Sequence, residues 1–300
     1  VGAGPKIVQW LSAFFSERYS FVEVEDMKSN VWLVDIGVPE GGLASPDEYG
    51  IGSISMAIWS SVSHSTLYAD DSCEVVWANT ASECHELAQK VAKNLSEWYL
   101  CSGLSLNPKK SEYIPFNYDP GPIVVDGTQV QPKKCFKFLG CYIQADLGWN
   151  NQVQELQKRM RSGAARIRTE GRNVGTNERK TLYFAWVQSH LMCNAGAYIP
   201  LLNQNQIQDV QTAANAGVRA VCRLPRRGQA PISLLREKLK IPSVEELRRR
   251  ILWTEAWKRR PKSATEEGPS TRGRTAGNVP VPDLRGWNGK RIETLAIAAW

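Results

Sequence analysis

Length, composition and charge set the first limits on what this chain is. Its 300 residues are 42% apolar, enough for one or two globular domains with a sizeable core. The sequence contains no run of about 18 apolar residues and no leader of the basic-then-apolar type, so we expect an intracellular protein without a membrane span. The seven cysteines form no Cys-x-x-Cys pair, which argues against a zinc site or a disulfide framework.

Charge is divided unequally between the two halves of the chain. Residues 1–150 contain 10 Lys/Arg and 18 Asp/Glu, a net charge of −8, whereas residues 151–300 contain 27 and 12, a net charge of +15. Such segregation provides a surface for a polyanion, of which nucleic acid is the commonest. The alternative is that the basic residues only solubilise exposed helix faces.

The first half of the sequence alternates between helix and strand patterns. A helix over 5–19 with an apolar stripe is followed by two strand-like runs at 21–26 and 30–36, which we interpret as a hairpin. The Gly/Pro-rich segment 37–46 excludes a regular element. A helix over 46–61, a hairpin over 65–78 and a long helix over 80–102 come next, and three strand-like runs occupy 111–144. This alternation predicts an α+β fold.

The second half changes to a helical period. Apolar residues recur at spacings of three and four after about residue 148, and further helices are predicted over 176–199, 204–223 and 243–260, the last beginning with a Ser-x-x-Glu capping box. Residues 261–282 have the composition of a flexible linker, and 291–300 is predicted as a short helix or stub. The predicted domains are therefore 1–146, mixed α and β; 147–260, all helical; and 261–300, linker and stub.

Two adjacent carboxylates, Asp70 and Asp71, fall at the turn of the hairpin predicted over 65–78. Neighbouring like charges raise each other's pKa and strain a turn, and a divalent cation with a preference for hard oxygen ligands, Mg²⁺ or Mn²⁺, removes that difficulty. Two such ions about 3.5–4 Å apart are the usual device for in-line phosphoryl transfer. The alternative is an ordinary solvated Asp-Asp turn, but the apolar flanks on both sides favour a buried, functional one.

The sequence around these carboxylates resembles the reverse transcriptases of non-LTR (LINE-type) retrotransposons. The stretch LYADD (67–71) is similar to their Tyr-x-Asp-Asp signature. Three further stretches are similar to the loop before the signature, the segment after it and the primer-grip hairpin: GVPEGGLASP (37–46), GLSLNPKKSEYIPF (103–116) and FKFLGCYI (136–143). The four motifs occur in the order of the family, and the resemblance spans nearly all of residues 5–260.

The resemblance implies part of an RNA-directed DNA polymerase: a partial palm followed by an all-helical thumb and post-polymerase region. Asp70 and Asp71 would hold Mg²⁺ (or Mn²⁺) and carry nucleotidyl transfer, with an RNA template, a DNA primer and dNTPs as substrates. The other implied contacts are Tyr68, Gly37, Pro39, Gly41, Gly42, Lys109 and Lys110 with nucleotide or template; Phe138, Leu139 and Gly140 with the primer; and Arg248, Arg249 and Arg250 with the nucleic-acid backbone.

The chain also departs from the family pattern. In the family a third metal-binding Asp lies on a palm strand just before the helix that opens this chain, and Asp26, Asp35 and Asp47 do not occupy that place. Glu40 and Gly42 stand where Gln and Ser are usual. Because the sequence also begins at Val rather than Met, we expect that an N-terminal segment with fingers and palm is missing and that these 300 residues do not polymerise alone.

Four interpretations follow from these observations. The first is a fragment of an RNA-directed DNA polymerase that is competent only with its upstream segment. The second is a remnant that still binds RNA or an RNA–DNA hybrid without chemistry, and the third is the product of a decayed element. The fourth, an unrelated α+β protein with an acidic turn, is disfavoured by the order of the motifs.

Overall fold

A computed structural model describes residues 4–34, 36–39, 41–43, 45–59, 62–116, 121–225, 231–258 and 294–299. The chain divides into two compact units. The first comprises residues 1–133 together with 292–300, and the second comprises 134–291. In the described part of the chain, no helix has the length and apolar character needed to cross a bilayer.

The first unit combines helices with short strands. Its elements up to residue 130 are α1 (Pro5–Phe15), β1 (Arg18–Ser20), β2 (Glu23–Val24), β3 (Met27–Lys28), β4 (Trp32–Val34), α2 (Ser45–Trp59), β5 (His64–Tyr68), β6 (Asp71–Trp77), α3 (Ala81–Cys101), β7 (Glu112–Pro115), β8 (Ile123–Val125) and β9 (Thr128–Val130).

The second unit is a hairpin followed by helices. Its elements are β10 (Cys135–Phe138), β11 (Cys141–Gln144), α4 (Asn150–Glu170), α5 (Thr176–Tyr183), α6 (Ser189–Met192), α7 (Ala195–Tyr198), α8 (Gln204–Val221), α9 (Ile232–Leu239) and α10 (Val244–Lys258). Short 3₁₀ turns at Gly171–Asn173 and Ile199–Leu201 and a π-helical turn at Phe184–Gln188 connect them.

A four-stranded sheet in the first unit includes a strand from the C-terminal end of the chain. The strand order is β5-β6-β12-β7, where β12 is Thr294–Ala299. Strand β12 is antiparallel to both β6 and β7, so β6 and β7, which α3 connects, are parallel to each other. They do not pair directly, because β12 occupies the position between them. The helix expected over 291–300 is therefore wrong for 294–299, because pairing the backbone groups of β6 and β7 overrides the local preference of the segment.

Helix α3 builds the core of the first unit against this sheet. It begins with a capping box in which Thr80 Oγ1 accepts from the Glu83 amide and the Glu83 side chain accepts from the Thr80 amide, an arrangement that stabilises a helix start. Its apolar face, with Cys84, Val91 and Leu95, is fully buried. The long helix predicted over 80–102 is thus confirmed.

The first 34 residues form the expected elements with different boundaries. The β1–β4 pair encloses a smaller β2–β3 hairpin that turns at Glu25 and Asp26, because the polar residues predicted as a loop are themselves partly paired. Helix α1 carries the predicted apolar stripe but buries none of it: Ile7 is 54% and Trp10 is 55% exposed. The stripe is a real feature of the helix, and the described residues provide nothing to cover it.

The second unit has its own core between α4 and α8. Met160 of α4 and Val218 of α8 are completely buried. Gly163 lets α4 approach the π-helical turn closely, because a Cβ there would lie 1.9 Å from the Trp186 carbonyl oxygen. The helix expected over 176–199 is interrupted by the π-helical turn and by Asn194, which adopts a left-handed conformation with φ 54°.

The observed mixture of helices and small antiparallel sheets is compatible with the predicted α+β class. The assignment of the two units to a palm and a thumb, and the predicted domain bounds at residues 146 and 260, stay predictions. The linker predicted over 261–282 lies outside the described residues.

Candidate active site at an acidic hairpin

The two carboxylates occupy the tip of the β5–β6 hairpin, as predicted. Tyr68 pairs with Asp71, so Ala69 and Asp70 form the two-residue loop. Asp70 is exposed, Asp71 is half-buried, and the Tyr68 side chain is 65% exposed. Ala69 holds φ at 52°, a left-handed conformation that is unfavourable for any residue but glycine. The turn therefore presents both carboxylates at the sheet edge at some cost in backbone strain.

The electrostatic surroundings of the tip are negative. The pKa of Asp71 is raised, mainly because burial disfavours its charged form and in addition because Asp70 lies beside it. The pKa of Tyr99 is also raised, first by burial and then, against the opposing hydrogen bond from Ser72 (3.3 Å), by Asp70, Glu74 and Asp71. A cation bound between the two Asp residues would relieve this repulsion.

Glu74 is a third carboxylate of the hairpin that sequence reasoning did not single out. It is completely buried on β6, and its Oε2 accepts hydrogen bonds from the hydroxyls of Ser63 and Ser65, the latter at 2.8 Å. The sequence does contain a signal for it. Glu74 is an acidic residue within an apolar strand, and two serines spaced by two, Ser63 and Ser65, lie on the facing side of the hairpin. Within the described residues, no group of three His, Cys, Asp or Glu side chains is arranged to hold a metal ion, so Glu74 does not complete a site with the aspartates.

The strand next to β6 brings no carboxylate to the tip. Ala299 of β12 pairs with Ser72, and the segment 294–299 has the sequence TLAIAA. Of the upstream aspartates, Asp26 lies in the β2–β3 turn and Asp47 in the first turn of α2, and Asp35 is outside the described residues. The described site therefore consists of two aspartates.

The glycine-rich loop before α2 is held by hydrogen bonds at both ends. Gly37 and Gly41 have φ of 81° and 77°, which other residues adopt only with strain. Arg18 donates from Nη2 to the Gly37 carbonyl (2.8 Å), and the Ser45 hydroxyl donates to the Pro39 carbonyl (2.6 Å). A Cβ at Gly42 would lie 2.4 Å from the Ser45 Oγ. The glycines are thus required by the conformation of the loop itself, and its predicted contact with nucleotide stays a prediction. Glu40 lies outside the described residues.

The two lysines predicted to meet phosphates lie in a turn organised by Asn107. The Asn107 side-chain oxygen accepts from the Lys109 amide (3.1 Å), and its carbonyl accepts from the Lys110 amide (3.1 Å). Both lysine side chains are exposed. The turn makes two adjacent cations available to a ligand, and the structure describes no contact that joins them to the acidic tip.

The predicted primer grip is the turn of the β10–β11 hairpin in the second unit. Phe138 pairs with Cys141, and the two turn residues, Leu139 and Gly140, have φ of 44° and 87°, as a type I′ turn requires. The Asn194 side-chain amide donates to the Leu139 carbonyl and fixes the turn. Its role at a primer stays a prediction.

The three arginines of α10 do not share one environment. Arg248 is half-buried and donates to the Pro200 carbonyl (3.2 Å) while lying 3.7 Å from Glu245, so it packs α10 onto its own unit. Arg249 and Arg250 are exposed. Arg249 and Arg250 are therefore more accessible than Arg248 for the predicted contact with a nucleic-acid backbone. The capping box predicted at the start of α10 is present, with the Glu246 amide donating to Ser243 Oγ at 3.1 Å.

Comparison with curated proteins finds relatives among the RNA-directed DNA polymerases of non-LTR retrotransposons, which confirms the resemblance seen in the sequence. The chain is 22% identical over 168 residues to the RNA-directed DNA polymerase from mobile element jockey of Drosophila funebris, a match that covers 53% of this chain and 18% of that protein. It is 20% identical over 173 residues to the jockey protein of Drosophila melanogaster, covering 54% and 19%.

A third relative is the probable RNA-directed DNA polymerase from transposon X-element of Drosophila melanogaster, 23% identical over 164 residues, with 52% of this chain and 18% of that protein covered. The matches thus span about half of this chain and less than a fifth of the length of these relatives. No family model matches the chain, and no solved structure matches it either.

Proposed function

We propose that this chain is part of an RNA-directed DNA polymerase of a non-LTR retrotransposon and that Asp70 and Asp71 form its metal-binding site. The observation that carries the proposal is the pair of adjacent carboxylates on a strained hairpin tip, in a chain whose curated relatives are such polymerases. The substrates would be an RNA template, a DNA primer and dNTPs.

The residues at the tip fit a hard divalent cation. Two carboxylates provide oxygen ligands of the kind that Mg²⁺ and Mn²⁺ prefer. The pKa of Asp71 is raised first by burial and then by Asp70, and a cation would offset both effects by favouring the charged form. Two such ions, when bound, would supply activation of the attacking hydroxyl and stabilisation of the leaving group. Asp70 and Asp71 would hold them, and the exposed Tyr68 would lie next to the reacting ends.

We further propose that the described residues lack a third metal-binding carboxylate and that another segment must provide it. The position beside β6 and level with the tip is filled by β12, whose Ala299 lies opposite Ser72. An upstream strand with an aspartate at this position would complete the ligand set, and it would have to displace β12 from between β6 and β7. For this reason we expect the 300 residues alone to be inactive.

Primer extension tests the proposal directly. The assay uses an RNA template, a DNA primer, dNTPs and Mg²⁺, with the chain alone and with the chain extended by its upstream coding segment. We expect the extended chain to incorporate nucleotides and its Asp70→Asn and Asp71→Asn variants to lose at least two orders of magnitude in rate. Asp126→Asn is the matched control, because Asp126 is also an exposed hairpin-turn aspartate of the first unit. Equal loss in all three variants would contradict the assignment.

A second candidate is a remnant that binds RNA or an RNA–DNA hybrid without chemistry. It is favoured by the absence of a third ligand among the described residues and by the basic second half of the chain. If the extended chain incorporates nothing, yet the chain binds hybrid in a salt-sensitive manner that is weakened by replacing Arg249 and Arg250, this second function replaces the first.

A further inference from the structure

We propose that a pocket in the second unit, at the C-terminal ends of α4 and α8, binds a phosphate group of a nucleic-acid backbone. The cavity has a volume of about 270 Å³ and is lined by Arg168, Arg172, Arg179 and Arg223, together with Gly171 and Ala220. We name it the arginine pocket. None of its seven lining residues is acidic, and four of them are arginines.

Two of the arginines are fixed in place by helix-end carbonyls. Arg179 is 5% exposed, and its Nε donates to the Val221 carbonyl (2.7 Å). Arg168, which is half-buried, donates from Nη1 to the Leu224 carbonyl (2.8 Å). The partial negative charge of a helix C-terminus accounts for part of this arrangement. The pKa of Arg179 is lowered, first by burial and then by Arg223.

Arg223 occupies a backbone position that usually belongs to glycine. The Arg223 amide donates to the Ala220 carbonyl (3.2 Å) and the Leu224 amide to the Arg219 carbonyl (2.8 Å), which together form a Schellman motif with Arg223 at its left-handed residue, φ 56°. Glycine is preferred there because it has no Cβ. Arg223 lines the pocket, and its Nη2 donates to the Arg172 and Val174 carbonyls.

The chemistry and size of the pocket select its ligand. Guanidinium groups bind phosphate oxygens through paired hydrogen bonds, and a cavity of this volume is small for a drug-sized ligand but holds a tetrahedral anion. The exposed Arg172 and Arg223 open the pocket to solvent, so a phosphate that belongs to a longer strand can enter. This inference rests on the proposed nucleic-acid function for the source of the phosphate, while the pocket itself is defined by the four arginines.

The test uses the 300-residue chain and a fluorescently labelled RNA–DNA hybrid, with binding measured by anisotropy from about 50 to 300 mM KCl. Arg223→Gly removes one guanidinium while placing the residue preferred for φ above zero, so the helix end is retained. Arg172→Gln removes a second one from an exposed position. Lys240→Gly is the matched control: Lys240 is an exposed basic residue with φ 54° at the end of α9, and it does not line the pocket.

Each phosphate contact contributes about 0.9 to the slope of log K against log salt. Since the pocket takes one phosphate, we expect Arg223→Gly and Arg172→Gln each to lower that slope by up to about 0.9 and the double variant by no more than about 0.9, while Lys240→Gly leaves it unchanged. Equal loss in Lys240→Gly and Arg223→Gly would show a diffuse charge effect and overturn the proposal, as would unchanged slopes in the pocket variants.

A second measurement separates the pocket from the proposed function. Thermal unfolding is followed in inorganic pyrophosphate and in KCl at equal ionic strength, and we expect pyrophosphate to raise the Tm of the wild type and of Lys240→Gly but not of Arg223→Gly or Arg172→Gln. If the hybrid does not bind but this pattern appears, the pocket stands and the nucleic-acid function fails. If pyrophosphate raises the Tm of all variants alike, or of none, the pocket does not bind phosphate.

Discussion

The left-handed conformation at Ala69 makes the hairpin tip a place where glycine should stabilise the protein. A non-glycine residue in this region costs roughly 1–2 kcal/mol, and Ala69 holds φ at 52°. Glycine removes that cost. It also gives the unfolded chain more conformational entropy, which lowers the free energy of unfolding by roughly 0.4–1 kcal/mol. The difference leaves Ala69→Gly more stable by about 0.5–1 kcal/mol, which is opposite in sign to the usual effect of replacing Ala by Gly.

Urea unfolding, monitored by circular dichroism and tryptophan fluorescence, measures this difference. Ala165→Gly is the control, because Ala165 lies in the regular part of α4, where glycine costs about 1 kcal/mol relative to alanine. We expect a higher midpoint for Ala69→Gly and a lower one for Ala165→Gly, with metal binding at the tip retained in both. A loss of stability in Ala69→Gly as large as that in Ala165→Gly would refute the backbone geometry from which the candidate site is built.

Further predictions test packing and strand order. Gly163→Ala places a Cβ 1.9 Å from a backbone carbonyl oxygen. Because the backbone cannot move aside without cost, we expect the free energy of unfolding to fall by about 2–3 kcal/mol. Gly52 on α2 has open space around it, so Gly52→Ala should raise the free energy of unfolding by about 1 kcal/mol. Ala298 of β12 pairs with Cys73 of β6. We therefore expect Ala298→Cys to form an intramolecular disulfide with Cys73 under mild oxidation, mapped by mass spectrometry, and Ala296→Cys not to form one. Absence of the disulfide in Ala298→Cys would contradict the position of β12.

Local chemistry explains which parts of the fold were predictable. The hairpin over β5 and β6, the helix α3 and the capping box at Ser243 and Glu246 depend on residues within a few positions of each other, so their signals are contained in short windows of sequence. The four motifs of the resemblance are likewise local. The curated relatives confirm what those motifs indicated about the class of protein.

Features that depend on distant partners were not predictable in the same way. Strand β12 is strand only because β6 and β7, about 200 residues earlier in the chain, leave a position between them. The arginine pocket joins Arg168 and Arg223 from two helix ends, and no spacing rule brings them together. The break in the helix expected over 176–199 includes the π-helical turn, where the Trp186 carbonyl lies against Gly163 of α4, and the periodicity of 176–199 does not contain this distant contact.

The pH dependence of the tip follows from the raised pKa of Asp71. Because the folded state holds this proton more tightly than the unfolded chain, whose carboxyl titrates near 3.8, the contribution of Asp71 to stability falls as pH rises from that value through the raised folded one. A cation at the tip favours the charged form and lowers the folded pKa again.

A titration of the Asp71 carboxyl carbon by ¹³C NMR, with and without Mg²⁺, measures whether the hairpin tip binds the ion. We expect the pKa of Asp71 to lie above its ordinary value in the absence of the ion, to decrease when Mg²⁺ is added, and to show no such decrease in Asp70→Asn at the same concentration. A metal site at the tip is ruled out if Mg²⁺ leaves the pKa of Asp71 unchanged, or shifts it no more than that of the aspartate of the β8–β9 turn, even when the upstream segment is supplied.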